Sequence, residues 1–126
     1  MKWDVFSRTC PSRQLLDRIA DKWTVLVICA LEEVPLRFGQ LRRTVGGVAP
    51  KVLTSVLRGL ERDGAVLRRV YTRSPLRVEY SLTPLGRSLH NVVDRMGAWV
   101  ERNMTKVAAA RARYDRTVLK KNGGAR

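Results

Sequence analysis

The sequence predicts a mainly helical fold carrying one small β-hairpin, and three stretches of the 126-residue chain predict it. In "PKVLTSVLRGLERDG", residues 50–64, apolar side chains recur at Val52, Leu53, Val56, Leu57 and Leu60. That helical period gathers them in an arc of about 140°. In front of it, "GGVAP" breaks the chain: two glycines permit positive φ, and Pro50 suits the first turn of the helix that follows. After it, "AVLRRVY" and "LRVEYSL" are β-branched and aromatic, with Val78, Tyr80 and Leu82 in period-two alternation, and "TRSP" joins them as a turn.

Taken in order, residues 1–10 are irregular. "PSRQLLDRIA" forms a helix with Pro11 in its first turn and Leu15, Leu16 and Ile19 on one face. Asp21 caps a second helix, "KWTVLVICALEE", apolar almost all round and so expected in the centre of the core, with Cys29 an inert core thiol. "VPLRF" is short and extended and suits an edge strand. "FGQLRRTV" is a brief helix turning Phe38, Leu41 and Val45 inward. With the helix over 50–63 it makes two helices joined by a short glycine-bearing turn, a helix-turn-helix, and Gly64 terminates the second of them. After the hairpin, Thr83 caps a long helix that starts at Pro84. Its apolar stripe runs through Leu85, Leu89, Val92, Val93, Met96, Trp99 or Val100, Met104 and Val107. The expected organisation is a single domain over residues 1–115 and a basic, frayed tail over 116–126.

Hydrophobic residues make up 44% of the chain, enough for one core. The net charge of +14 favours a polyanionic partner. The excess is local: from Arg37 to Arg77 ten Lys or Arg face two acids, Glu61 and Asp63. The longest uncharged apolar run, "WTVLVICAL", is far shorter than the roughly 20 residues needed to span a bilayer, and the start has no apolar signal-peptide core. The expectation is a cytoplasmic, nucleoid-associated protein with no membrane partner. Two cysteines are too few for a disulfide scaffold or a zinc site. A lone histidine, His90, has no Cys or acid pair at ligand spacing and reads as a surface or interface residue. No phosphate loop follows a strand and no carboxylate pair stands out. An enzyme, a metal and a cofactor are therefore not expected.

A helix-turn-helix followed by a β-hairpin is the winged-helix order. The chain resembles the HxlR family of bacterial winged helix-turn-helix regulators, a MarR-like group. The residues that carry the resemblance are "CP" at 10–11, "KWT" at 22–24, "PLRFGQLRR" at 35–43, "KVLTSVLRGLERDG" at 51–64 and "RVYTRSPLRVEYSLTPLGRSL" at 69–89, within a match over about 10–104. The resemblance implies a homodimeric DNA-binding transcription factor, most often a repressor. Such proteins commonly have Ser where this chain has Ala49. Losing that cap costs about 0.5–2 kcal/mol, and no DNA contact is carried over to position 49.

The site residues follow from this order. The helix over 50–63 enters the major groove with Lys51, Thr54, Ser55, Arg58 and Arg62 outward, and Arg58 can pair with guanine O6 and N7. The wing, residues 66–82, brings Arg73 and Arg77 to a minor groove or flanking phosphates, unless Glu79 holds one of them in an ion pair. Arg42 and Arg43 either touch phosphate or offset a helix dipole. Of Arg68 and Arg69, which alternate across a strand, at most one faces DNA. Leu89, Val92, Val93, Met96, Trp99 and Val100 are expected to meet the same helix of a second subunit. Cys10 stands before a helix N-terminus near Arg8 and Arg13, features that lower a thiol pKa. Some members of the resembled family sense oxidants or electrophiles through a cysteine at this position, so Cys10 is either a sensor or a packing residue, and a small-molecule or oxidant effector is open. The competing function is a nonspecific basic nucleic-acid-binding protein associated with chromosome or RNA.

Overall fold

A computed structural model describes residues 2–124. Their packing divides into two compact units, one ending at Val93 and the other beginning at Asp94.

The first unit opens with α1 (Pro11–Ile19) and α2 (Lys22–Ala30). Pro11 sits in the first turn of α1. Asp21 caps α2 as its sequence position predicts, its carboxylate accepting from the Thr24 N–H at 3.1 Å. α2 buries Thr24, Val27 and Ile28 but leaves Leu26 and Cys29 exposed. Cys29 is thus not a core thiol. Only one face of α2 meets the core, so an almost uniformly apolar sequence leaves an apolar face outside. α1 differs from expectation in the same way: it has no buried residue, and Leu15 and Leu16 are exposed.

A two-residue strand, β1 (Leu36–Arg37), leads into α3 (Phe38–Val45), which buries Leu41. Gly46 and Gly47 adopt φ of 70° and 75°, as the broken stretch requires, and α4 (Pro50–Arg62) follows. Its buried side is Leu53, Leu57, Gly59 and Leu60. Gly64, at φ 80°, ends it just beyond the Asp63 cap.

β2 (Val66–Tyr71) and β3 (Arg77–Leu82) form the predicted hairpin, in register from Val66 opposite Leu82 to Tyr71 opposite Arg77. β1 joins the free side of β3, giving a three-stranded antiparallel sheet in the order β1-β3-β2, with Leu36 opposite Tyr80. The core gathers Val27, Ile28, Leu31, Leu41, Val48, Leu53, Leu57, Leu60, Val66, Leu82 and Val93.

The last element is α5 (Pro84–Gly124). Thr83 starts it: its hydroxyl accepts from the Gly86 N–H at 3.1 Å and donates to the Gly64 carbonyl at 2.5 Å. Gly86 is required there, because a Cβ would stand 2.0 Å from the Ala65 carbonyl oxygen. Arg87 donates to the Glu32 carbonyl at 3.2 Å, and His90 Nε2 lies 3.5 Å from the Glu32 carboxylate, fastening α5 to the end of α2. The helix continues past residue 115 to Gly124, where fraying was expected. No proline interrupts residues 98–121, and Ala, Arg and Lys favour the helix. Residues 125 and 126 of the expected tail lie outside the described residues. Among the described residues no helix is long and apolar enough to cross a membrane.

Candidate DNA interface

α4 is anchored from beneath by Leu53, Leu57 and Leu60, so its outer side chains are fixed in direction by the core. Lys51, Ser55, Arg58 and Arg62 are exposed, and none of the three cations is ion-paired among the described residues. Thr54 is half-buried, and its hydroxyl donates to the Pro50 carbonyl at 2.9 Å. Its donor is used inside the helix, leaving the methyl group and an oxygen lone pair for a partner. Ala49 provides no side-chain cap, as its methyl group requires.

In front of α4 lies a hollow lined by Gly39, Arg42, Arg43, Gly46 and Gly47 and by the chain from Val48 to Pro50. Arg42 and Arg43 rim it, and both are exposed. Arg42 Nε donates to the Val48 carbonyl at 3.3 Å, so this side chain braces the turn that sets α4 while its terminal nitrogens remain outside that bond. Neither of the two roles left open for Arg42 from sequence included this one.

The wing treats its two named arginines differently. Arg73, in the loop between the strands, is exposed and pairs with no carboxylate among the described residues. Arg77 is committed internally. Its Nε lies 3.1 Å from Glu79 Oε1, its guanidinium stacks 3.9 Å from the centre of the Tyr71 ring, and its side chain is 27% exposed. Of the two readings open for the wing arginines, Arg77 takes the ion pair with Glu79. Glu79 also stands opposite both Arg37 and Arg69 in the sheet register, so one acid serves the outer face of the wing.

Arg68 has the opposite placement. It stands opposite Tyr80 and lines a groove with Thr54, Leu57, Arg58, Glu61 and Tyr80, between α4 and the sheet. The sequence allows at most one of Arg68 and Arg69 on the DNA side, and Arg68 is the one beside α4. The strand alternation puts it on the face of Val66, with Tyr80 and Leu82 across the ladder, and that apolar pattern is the signal that picks it over Arg69.

At the other end of the unit, Cys10 is the N-cap of α1. Its sulfur lies 3.1 Å from the Ser12 hydroxyl and accepts from the Asp4 N–H at 3.4 Å. These contacts, the Ser12 hydroxyl foremost, hold the thiol below its ordinary pKa, against opposing pushes from desolvation and the Asp4 carboxylate. The direction agrees with the sequence reading, and so does the position before a helix N-terminus, but the arginines do not contribute: Arg13 turns instead to the Val5 and Phe6 carbonyls. α1 also touches α4. Arg18 Nε pairs with Asp63 Oδ2 at the end of α4, and the Arg18 guanidinium lies where a Cβ on Gly59 would be.

The apolar stripe of α5 is divided in its burial. Val93 is buried in the first unit's own core, and Leu89 packs against that core, so Val93 is not an open interface residue. Val92 is exposed. In the second unit Met96, Trp99 and Val100 are 54%, 55% and 50% exposed.

Comparison with known proteins agrees with this architecture. The HxlR-like helix-turn-helix family matches residues 18–108. The chain is 43% identical over 108 residues to the uncharacterized HTH-type transcriptional regulator YtfH of Escherichia coli (strain K12), covering 86% of each chain. Among solved structures it resembles the putative transcriptional regulator ytfH from Salmonella typhimurium, with a TM-score of 0.79 and 41% identity over 87% of this chain and 98% of that one. It also resembles the redox regulator HypR in its reduced form, with a TM-score of 0.71 and 37% identity over 79% of this chain and 98% of that one. The family match spans most of the chain, and the relatives align with it over nearly their whole length: the chain belongs to the HxlR-like helix-turn-helix family and is a transcriptional regulator of that type.

Proposed function

We propose that the chain is a homodimeric, sequence-specific DNA-binding repressor that reads the major groove with α4 and steadies itself on the backbone through the wing. The observation that carries this reading is the contrast across α4: a buried leucine row beneath, and Lys51, Ser55, Arg58 and Arg62 exposed above it without acidic partners among the described residues. Arg58 reads a base edge, Arg42, Arg43 and Arg73 hold phosphates, and Arg68 supports Arg58 from the sheet side of the groove. Repression is the direction that the family resemblance favours. The exposed Met96, Trp99 and Val100 support a second copy as the cover of α5. Two such units read half-sites about one helical turn apart.

Footprinting on the promoter DNA beside its own gene, repeated under excess random duplex, tests the reading. A discrete protected site that survives the competitor supports it; a complex that random DNA displaces equally makes the protein a nonspecific binder. Light scattering tests the dimer: a monomer at micromolar concentration with full affinity rules that part out.

The same reading includes thiol sensing at Cys10, supported by its lowered pKa and by the likeness to a redox regulator. DNA binding by wild type and Cys10→Ser, with and without a mild oxidant or quinone, decides it. Sensing requires that only the wild type responds.

A further inference from the structure

The second unit carries its own concentration of positive charge. At about 100° per residue, Arg95, Arg102, Lys106, Arg113, Arg116 and Lys120 fall within one arc of about 80° on α5. All six are exposed. At about 1.5 Å of rise per residue, the ridge they form is roughly 38 Å long. The apolar side chains Met96, Trp99, Val100, Val107 and Tyr114 occupy a wider arc of about 100°, with Trp99 at the edge next to the ridge, and Asp94, Glu101 and Asp115 lie on a third.

No acid stands three or four residues from any of the six, the spacing at which helix ion pairs form. None of the six has an ion pair among the described residues. Instead Arg102 and Lys106, Arg113 and Arg116, and Arg116 and Lys120 are like-charge neighbours at helical spacing, an arrangement that costs helix stability. A helix face that only needs water has no reason to segregate its charges in this way; mixed signs would stabilise it. An anion running along the ridge would relieve the repulsion.

We infer that this ridge is a second DNA-docking surface, which grips the phosphodiester backbone without reading bases. A straight row of cations matches a linear polyanion, and four of the six are arginines, whose planar forks suit phosphate oxygens. Arg113, Arg116 and Lys120 lie beyond residue 108, where the family match ends, so the second half of the ridge lies outside the matched region.

The test uses the full chain and a triple variant, Arg113→Gln, Arg116→Gln and Lys120→Gln, whose helicity is checked by circular dichroism. Binding to a random-sequence duplex is measured between 50 and 200 mM salt. Loss of three phosphate contacts flattens the slope of log K against log salt by about 2.7 units, so the variant loses roughly 40-fold less affinity than wild type across that range. The same change is expected on a specific site, and a version with Lys at all three positions restores the slope. An unchanged slope in a helical variant overturns the proposal. So does loss of binding to phosphatidylserine vesicles with the duplex slope intact, which assigns the ridge to lipid. Arg58→Ala separates this inference from base reading by α4: it lowers discrimination between specific and random duplex while the slope on random duplex stays dependent on the ridge.

Discussion

Arg58 on α4 and Arg77 on β3 are both arginines of the predicted DNA-facing surface, yet they are held in opposite ways. Arg58 is exposed above a buried leucine row and forms no ion pair among the described residues, whereas Arg77 is bonded to Glu79 and stacked on Tyr71. A cation with internal partners is fixed in shape but already compensated in charge, and must give up those contacts before it can take a phosphate. A cation without them loses only water. The difference separates residues that define the wing from residues that are left to bind, and a count of basic residues cannot make that separation.

The largest expected effect breaks the connection between the two regions. Gly86→Ala drives a Cβ into the Ala65 carbonyl at the junction of α4, β2 and α5. Because backbone is what must move, the cost is about 3 kcal/mol. Thermal unfolding should show a large fall in midpoint; an unchanged midpoint would remove the close packing from the account. Arg58→Ala comes next. It should cost about 1–3 kcal/mol of base discrimination and relax preference at one position. Selection from a randomised site checks it, and unaltered preference would refute the role of Arg58.

Smaller effects sharpen the contrast within the wing. Arg73→Ala should flatten the salt dependence by about 0.9 unit on every sequence alike, the signature of one lost phosphate contact. Glu79→Gln should do the reverse, releasing Arg77 and steepening the slope by at most about the same amount. If Glu79→Gln leaves the slope flat while Arg77→Ala lowers it, Arg77 was binding phosphate despite its partners. The smallest change is chemical. Ser12→Ala removes the leading contact that favours the Cys10 thiolate. The folded thiol pKa then rises, the thiolate fraction at neutral pH falls, and alkylation of Cys10 slows. The pH profile of labelling should move upward, and an unmoved profile would transfer the effect to the Asp4 and Ser12 N–H groups.

Local signals were legible in this sequence because they act over a few residues. The Asp21 cap, the Gly46–Gly47 break, Pro50, Gly64 and the Thr83–Pro84 start all stand where they were read. A helical period also told which side chains share a face. It could not tell what covers that face: Leu15, Leu16 and Cys29 remain outside, while Val93 goes into the core. Pairings across distant segments were equally silent. Nothing near Arg18 announces Asp63, and nothing near Arg42 announces the Val48 carbonyl. At the interface, exposure of Arg58 and Arg73 agrees with the sequence reading, the tie on Arg77 was one of two readings left open, and Arg68 had to be recovered from the strand register.

The Thr83 hydroxyl, which donates to Gly64 and accepts from Gly86, has a consequence for motion. Thr83 N–H also donates to the Ala65 carbonyl at 3.1 Å, so three bonds close the same corner from two directions. The end of α4, the returning strand and the first turn of α5 cannot loosen one at a time without breaking a shared bond. They should therefore open as one cooperative unit. In hydrogen exchange, the amides of Thr83 and Gly86 should slow together and share one opening free energy, while amides at the wing tip exchange on their own schedule. A regulator built this way can let its tip flex to follow a groove while the angle between helix and strand stays set.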